Sequence, residues 1–166
     1  LINMLKKNVL IYGATGSIGD STLNLIRNNK KKFNLVGVTC NTNIDKLLDI
    51  ANEFDCNNLG INNETKIPNY PKLKNYNVYV GLDEFSKLIN NQVDIVIFAI
   101  AGSSPLSLLM DIAASGKVIG LANKECIICL GKTILEIAKA SETKIVPLDS
   151  EHNAIFQLIK NKNTSS

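Results

Sequence analysis

Three glycines recur at intervals of three residues near the amino terminus, within the segment GATGSIG at residues 13–19. Glycine permits a tight turn and allows the backbone to come close to a ligand. Where such a turn leads into a helix, the first N–H groups of the helix and its partial positive charge attract a phosphate group. The segment therefore predicts a turn that binds the pyrophosphate of a nucleotide, with an ordinary glycine-rich turn as the alternative.

The residues that end the predicted second strand bear on which nucleotide is bound. NAD-binding domains commonly place a carboxylate there, where it holds the ribose hydroxyls. Here the segment reads Cys40, Asn41, Thr42 and Asn43, which offers amide and hydroxyl groups and no carboxylate to repel a 2′-phosphate. This favours NADP(H) over NAD(H). The alternative is that Asn43 serves only as a helix cap in an ordinary loop.

Two carboxylates near the carboxyl terminus, Asp149 and Glu151, flank Ser150 directly after an apolar segment. Carboxylate oxygens are ligands that Mg²⁺ and Mn²⁺ accept. Residues that follow a strand of a parallel sheet lie at the edge where such sheets bind ligands. The spacing therefore suits a divalent metal ion. It equally suits a helix start, in which Asp149 or Ser150 is the cap and Glu151 adds a favourable charge to the first turn.

A third polar segment, Asn123-Lys124-Glu125, follows another predicted strand at the same edge. Lys124 is a candidate for binding an anionic substrate or for orienting a carboxylate, while a solvated Lys–Glu pair is the alternative. The nearby Cys126 and Cys129 have the spacing of a redox pair or of half a zinc site, but Cys40 and Cys56 do not supply a second half. We expect the cysteines to be reduced and structural.

Apolar segments alternate with amphipathic ones along the whole chain, which predicts an α/β fold with a doubly wound, mostly parallel sheet of the Rossmann-like type. The predicted strands are Asn8–Tyr12, Leu35–Thr39, Leu59–Ile61, Asn77–Val80, Asp94–Ile100, Lys117–Leu121 and Lys144–Leu148. The predicted helices are Ile18–Asn28, a helix capped by Asn43 and ending near Phe54, a helix from Pro105 to Ala114, Ile127–Lys139 and a last one from about Asn153.

Composition limits the classes of function. The chain has 166 residues, of which 45% are hydrophobic, which suits one compact domain. The net charge is only +3 and the basic residues are scattered, so we expect no nucleic-acid partner. The longest apolar run, residues 95–101, falls short of the roughly 20 residues of a membrane span, so we expect no membrane insertion. Because the first residue is Leu1, we expect that an upstream segment was removed.

Three motifs in this order resemble the signatures of the 1-deoxy-D-xylulose 5-phosphate reductoisomerase family. They are GATGSIG at residues 13–19, LANKE at 121–125 and PLDSEHNAIFQ at 147–157. The resemblance implies a domain at residues 1–148 that binds NADPH and the start of a catalytic, metal-binding domain at 149–166. It also implies that NADPH and Mg²⁺ or Mn²⁺ support the rearrangement and reduction of the sugar phosphate 1-deoxy-D-xylulose 5-phosphate to 2-C-methyl-D-erythritol 4-phosphate, in non-mevalonate isoprenoid synthesis.

The resemblance also implies roles for individual residues. The pyrophosphate and nicotinamide of NADPH would contact Thr15, Gly16, Ser17 and Ile18, and its 2′-phosphate region would contact Asn41, Thr42 and Asn43. Asn123 and Glu125 would also face NADPH. Asp149 and Glu151 would bind the metal ion, and Lys124, Ser150 and Glu151 would contact the substrate. Lys124 and Glu151 are the residues expected to take part in catalysis.

The chain departs from the family pattern at two of these places. Cys126 stands where the family usually has Ser, and Thr42 stands where Lys is common, which weakens charge pairing to the 2′-phosphate. The family's third carboxylate ligand, its lid and most of its substrate-phosphate site correspond to sequence beyond Ser166. We therefore expect these 166 residues to be inactive alone. We expect a homodimer when the protein is full length, in the bacterial cytoplasm, or in a plastid-type organelle if a targeting segment was removed.

Two other functions remain open from the sequence. A semialdehyde or acyl-phosphate reductase would use a similar glycine turn but needs a nucleophilic cysteine. A module that binds NADPH without chemistry would have no use for Asp149 and Glu151.

Overall fold

The computed structural model of the chain describes residues 5–102 and 105–148. The strands are β1 (Lys7–Tyr12), β2 (Phe33–Cys40), β3 (Asn58–Ile61), β4 (Asn77–Val80), β5 (Ile95–Phe98), β6 (Val118–Leu121) and β7 (Lys144–Pro147). The α-helices are α1 (Ser17–Asn28), α2 (Ile44–Phe54), α3 (Leu82–Phe85), α4 (Leu106–Ala113) and α5 (Lys124–Ala140). Short 3₁₀ helices cover Glu64–Asn69, Pro71–Asn75 and Ser86–Leu88.

Within the described residues the seven strands form one sheet in the order β4-β3-β2-β1-β5-β6-β7, and every neighbouring pair is parallel. The chain builds the sheet outward from β1 in one direction, then returns to the other side of β1 and builds outward again. This is the doubly wound arrangement, so the predicted α/β fold is confirmed.

Each face of the sheet carries its own hydrophobic core, because alternate residues of a strand point to opposite faces. Val9 and Ile11 of β1 pack with Leu23 of α1 on one face. Leu10 and Tyr12 pack on the other face, in a second core to which Leu108, Leu109, Ile112, Ile134 and Ala138 of α4 and α5 also belong. Helices cover both faces of the sheet, which explains why the central strands are mostly apolar and are buried over their carboxyl-terminal halves.

Within the described residues the predicted elements agree with the structure apart from their boundaries and the middle of the chain, and the helix predicted from about Asn153 lies outside those residues. β5 ends at Phe98, two residues earlier than predicted. α5 begins at Lys124 and not near Ile127, because Lys and Glu are good helix formers and the polar segment after β6 did not need to be a loop. The sequence pattern also missed α3 and the 3₁₀ helices, since such short turns lack a periodic pattern. Among the described residues, each helix is too short or too polar to cross a bilayer.

Candidate functional site

The glycine turn between β1 and α1 lies where the order of the sheet reverses, since β1 has β2 on one side and β5 on the other. Crevices at such positions, outside the carboxyl ends of the strands, are where open α/β sheets bind ligands. Two hydrogen bonds fix the turn to the end of β2. The Ala14 N–H donates to the Thr39 carbonyl at 2.8 Å, and the Gly13 N–H donates to the Thr39 hydroxyl at 3.0 Å. The turn is therefore held in place before any ligand binds.

The protein's own packing requires two of the three glycines. Gly13 has φ +82°, and a Cβ there would lie 2.6 Å from the Ala99 carbonyl oxygen. A Cβ on Gly19 would lie 2.3 Å from the Ala14 carbonyl oxygen, so this glycine allows α1 to approach β1 closely. Gly16 differs, because a Cβ there would meet only the Gly13 carbonyl oxygen, at an ordinary 3.7 Å. The space beside Gly16 is therefore open to a ligand.

Helix α1 points its amino-terminal end at this open space. Gly16 is the N-cap residue and, because glycine has no side chain, α1 has no side-chain cap there. The Asp20 N–H donates to the Gly16 carbonyl at 2.9 Å, which closes the first helical turn. The preceding N–H groups, at Ser17 and Ile18, belong to the first turn, where amides lack intrahelical acceptors. Together with the helix dipole they suit an anion.

The glycine turn and the start of α1 form the first wall of the site, and the segment after β2 forms the second wall. The Asn43 side chain accepts a hydrogen bond from the Lys46 N–H at 3.1 Å. Asn43 is therefore a helix cap, as the alternative in the sequence analysis predicted. The Asn41 side chain accepts from the Asn62 side-chain amide at 2.9 Å. The Thr42 carbonyl accepts from the N–H of Ile44 at 3.0 Å, within the same cap. Asn41 and Asn43 are exposed, which leaves this wall facing solvent.

Lys46 is a residue of the site that the sequence analysis missed. Its ammonium group donates to the Thr15 carbonyl at 3.0 Å and to the Asp20 carboxylate at 2.8 Å, and so links α2 to the glycine turn. A signal was present in the sequence. A lysine three residues after a helix cap lies near the positive end of the helix dipole, where a cation is unfavourable unless it has a partner.

A cleft of about 290 Å³ lies between these walls at the carboxyl ends of β1, β2 and β5. One side of it is apolar and includes Leu82 and Phe85 of α3, which the sequence analysis did not anticipate. The lining consists of Gly13, Thr15, Gly16, Thr39, Cys40, Asn41, Asn62, Leu82, Phe85, Ala99, Ile100 and Ala101. An apolar cleft edged by backbone and amide groups suits the rings and phosphates of a nucleotide.

The backbone of the predicted segment Asn123-Lys124-Glu125 lies at the same edge, directly after β6. Asn123 is only 3% exposed, and its side-chain amide donates to the carbonyls of Ile100 at 2.5 Å and Gly102 at 2.8 Å. It thereby ties the loop after β5 to the start of α5. Lys124 and Glu125 are the first residues of α5 by backbone placement, while their side chains lie outside what the structure describes.

The predicted metal ligands Asp149 and Glu151, with Ser150, lie outside the described residues. The described residues reach as far as Leu148, which directly precedes them in the sequence. β7 is parallel to β6, with Pro147 opposite Leu121, and the Leu148 N–H donates to the Leu121 carbonyl at 2.9 Å. The chain therefore passes Leu148 at the edge of the sheet that carries the glycine turn. Within the described residues there is no group of three or more His, Cys, Asp or Glu side chains that could hold a metal ion.

Cys40 and Cys56 are buried free thiols, as expected for structural cysteines. Burial raises the pKa of each thiol to about 11, so both are uncharged at neutral pH. A thiol in this state is a poor nucleophile. The side chains of Cys126 and Cys129 lie outside the described part of the chain.

Comparison with known proteins gives a consistent result. A family model described as 1-deoxy-D-xylulose 5-phosphate reductoisomerase matches residues 9–131. The enzyme of that name from Clostridium perfringens strain 13 is 37% identical over 163 residues, which cover 93% of this chain and 42% of the relative. The chain therefore spans less than half the length of the curated relatives it matches.

Solved structures with the same name share the fold closely. The reductoisomerase from Zymomonas mobilis in complex with NADPH has a TM-score of 0.80 at 31% identity, over 92% of this chain and 41% of that one. A DOX-P reductoisomerase in complex with NADPH, fosmidomycin and magnesium has a TM-score of 0.81 at 35% identity, over 91% of this chain and 38% of that one.

Proposed function

The chain belongs to the 1-deoxy-D-xylulose 5-phosphate reductoisomerase family, and on that premise we propose that it forms the NADPH-binding part of such an enzyme. The whole protein would convert 1-deoxy-D-xylulose 5-phosphate into 2-C-methyl-D-erythritol 4-phosphate, by rearrangement of the carbon skeleton and reduction with NADPH. The observation that carries the proposal is the glycine turn, because it opens into a cleft at the point where the sheet order reverses.

The cofactor site of the proposal uses the two walls of the cleft. Gly16 offers its open side to the pyrophosphate, and the N–H groups of Ser17 and Ile18 supply donors and the positive end of α1. Thr15 borders the same space. The segment from Asn41 to Asn43, with Thr42 between, would face the 2′-phosphate of the adenosine. Asn123 and Glu125 would also face NADPH.

The reaction site of the proposal lies further along the same edge. β7 is three strand spacings from β1, or about 14 Å, so an extended dinucleotide that starts at the glycine turn can reach toward it. Asp149 and Glu151 would hold Mg²⁺ or Mn²⁺, and Lys124, Ser150 and Glu151 would contact the sugar phosphate. When bound, the metal ion would polarise and orient two substrate oxygens. We assign Lys124 and Glu151 to catalysis.

Three further parts of the proposal concern the whole protein. The nucleotide-binding domain would end at residue 148, and residues 149–166 would open the catalytic domain. The protein would act as a homodimer in the cytoplasm. Sedimentation of the whole protein tests the dimer. Limited proteolysis tests the domain boundary, because a boundary at residue 148 predicts a protected fragment that ends close to that residue.

Titration of the chain with NADPH and with NADH tests the cofactor part of the proposal. We expect saturable binding of NADPH and weaker binding of NADH, since the second wall carries no carboxylate that would pair with the ribose hydroxyls. Nucleotide fluorescence or calorimetry measures both affinities. Failure of both nucleotides to bind would refute the proposal.

Substitution of the predicted ligands tests the metal part in the whole protein. Asp149→Asn and Glu151→Gln should each abolish metal-dependent turnover while NADPH affinity stays unchanged. Glu136→Gln is the matched control, because Glu136 is an exposed acidic residue on α5. If both ligand variants kept full turnover, the metal assignment would be wrong. If the unmodified whole protein bound NADPH but showed no turnover, a module that binds NADPH without chemistry would be the better description.

The described cysteines give no support to a thiol-dependent reductase. Such an enzyme needs a thiolate that can attack its substrate. Cys40 borders the cleft, but burial raises its pKa to about 11 and keeps it protonated. Cys56 is equally buried. Family membership and these two pKa values therefore favour the reductoisomerase.

A further inference from the structure

The described residues that line the cleft offer no positive charge to a 2′-phosphate, the group by which NADPH differs from NADH. NADPH carries an additional phosphate on the adenosine ribose, and this dianion needs a cation or several donors. In the described part of the chain, the residues that line the cleft include no charged side chain. The segment from Asn41 to Asn43 offers only amides and a hydroxyl, and the Asn43 side chain already caps α2. Any cation that pairs with this phosphate therefore comes from a residue outside this lining.

Lys46 reaches the cleft from a neighbouring element. It lies in the first turn of α2, which follows β2 directly, and its ammonium group is 3.0 Å from the carbonyl oxygen of Thr15 in the cleft wall. In dinucleotide-binding folds, the ribose 2′ position lies between the end of the second strand and the glycine turn. Lys46 spans that gap.

Asp20 pairs with Lys46 in the absence of a ligand and also creates the need for it. The Lys46 ammonium and the Asp20 carboxylate are 2.8 Å apart, with side chains 34% and 50% exposed. An ion pair this exposed is weak, so it exchanges readily for a contact with a phosphate dianion. Without Lys46, the carboxylate would place an uncompensated negative charge in the first turn of α1, beside the phosphates.

We infer that Lys46 supplies the cation that faces the adenosine 2′-phosphate and so sets the preference of this chain for NADPH over NADH. The inference rests on the proposed function, since it assumes that the cleft binds the dinucleotide. Lys46 acts here as a specificity residue and takes no part in the chemistry.

Binding titrations of the chain with NADPH, NADH, 2′,5′-ADP and 5′-AMP test the inference. Lys46→Met should weaken NADPH and 2′,5′-ADP by about ten- to a hundredfold, the usual value of a hydrogen bond between charged groups, and leave NADH and 5′-AMP nearly unchanged. Lys46→Arg should restore most of the affinity. Asp20→Asn should strengthen binding of the two 2′-phosphorylated ligands, because Lys46 is then released from its partner.

The matched control is Lys7→Met. Lys7 also pairs with a carboxylate, that of Asp94 at 3.6 Å, but it lies at the amino end of β1, at the opposite edge of the sheet. This variant should leave all four affinities unchanged.

The outcomes separate the inference from the proposed function. If Lys46→Met weakened phosphorylated and unphosphorylated ligands equally, Lys46 would only stabilise the turn and the inference would fail. If Lys46→Met kept the full preference for NADPH over NADH, the inference would fail while the proposed function would stand. If the unmodified chain bound none of the four ligands, both the proposed function and the inference would be overturned.

Discussion

Replacement of Gly16 by alanine separates the ligand-binding role of the glycine turn from its structural role. Gly16 has φ −90° and ψ −179°, a conformation open to any residue, and the nearest protein atom to an added Cβ is 3.7 Å away. Alanine is a poorer helix cap than glycine, which costs up to about 1 kcal/mol. The lower entropy of the unfolded chain offsets this by about 0.4–1 kcal/mol. The free energy of unfolding should therefore change little.

The same methyl group should interfere strongly with binding, because it occupies the space proposed for the pyrophosphate. Loss of one hydrogen bond from a backbone N–H to a charged phosphate is worth about 1.5–3 kcal/mol, or roughly ten- to a hundredfold in affinity. We expect Gly16→Ala to weaken NADPH and NADH by this factor, since both carry a pyrophosphate. Titration measures the affinities, and chemical denaturation measures the stability.

Two other glycines provide controls. Gly131→Ala, in α5, meets nothing within 4 Å and should change neither binding nor stability beyond the small gain typical of a helix. Gly19→Ala should instead destabilise the fold by about 1–3 kcal/mol or more, because its Cβ would lie 2.3 Å from the backbone oxygen of Ala14. If Gly16→Ala bound both nucleotides as tightly as the unmodified chain, the pyrophosphate would not lie at this turn.

Three further predictions concern the stability and reactivity of the chain. Tyr12→Phe should cost about 1–2 kcal/mol in chemical denaturation, because the buried hydroxyl donates to a carbonyl of α3 at 2.7 Å; an unchanged midpoint would contradict this. The hydrogen bond from Arg27 lowers the pKa of Glu53. At a pH above the ordinary carboxyl pKa of 4.5, this exposed pair therefore adds well under 1 kcal/mol to the free energy of unfolding, and this contribution is lost as the pH falls. Thermal unfolding across this range should show a slightly shallower acid decline for Glu53→Gln. Cys40 and Cys56 should resist alkylation at pH 8 until the chain unfolds, because their thiols are buried; peptide mapping by mass spectrometry would reveal early labelling.

The fold was largely predictable because its central strands contain continuous apolar segments of four residues. Val9 to Tyr12 and Ile95 to Phe98 are buried on both faces, and a segment of this length and composition between amphipathic helices indicates a parallel strand. The segment from residue 64 to 75 was not predictable in the same way, since 3₁₀ helices with proline lack a repeating apolar pattern.

The candidate site was predictable where a residue type alone limits the structure. Gly13 and Gly19 could be recognised because only glycine tolerates those close approaches, and Asn43 because its side chain suits a helix cap. The predicted roles of Lys124, Glu125 and the carboxylates of residues 149–151 remain predictions, since the structure does not describe their side chains.

By itself the sequence determined the alternation of strands and helices, the position of the glycine turn and the resemblance to a family, because each depends on local residue types and spacing. Only the tertiary structure decided which residues meet. The contact of Lys46 with Thr15 and Asp20 joins residues 31 and 26 positions apart, and the apolar wall formed by Leu82 and Phe85 reaches the cleft from a helix that has no sequence signal. Such contacts depend on the register of neighbouring parallel strands, and strands that are buried on both faces have no alternating pattern that would specify it.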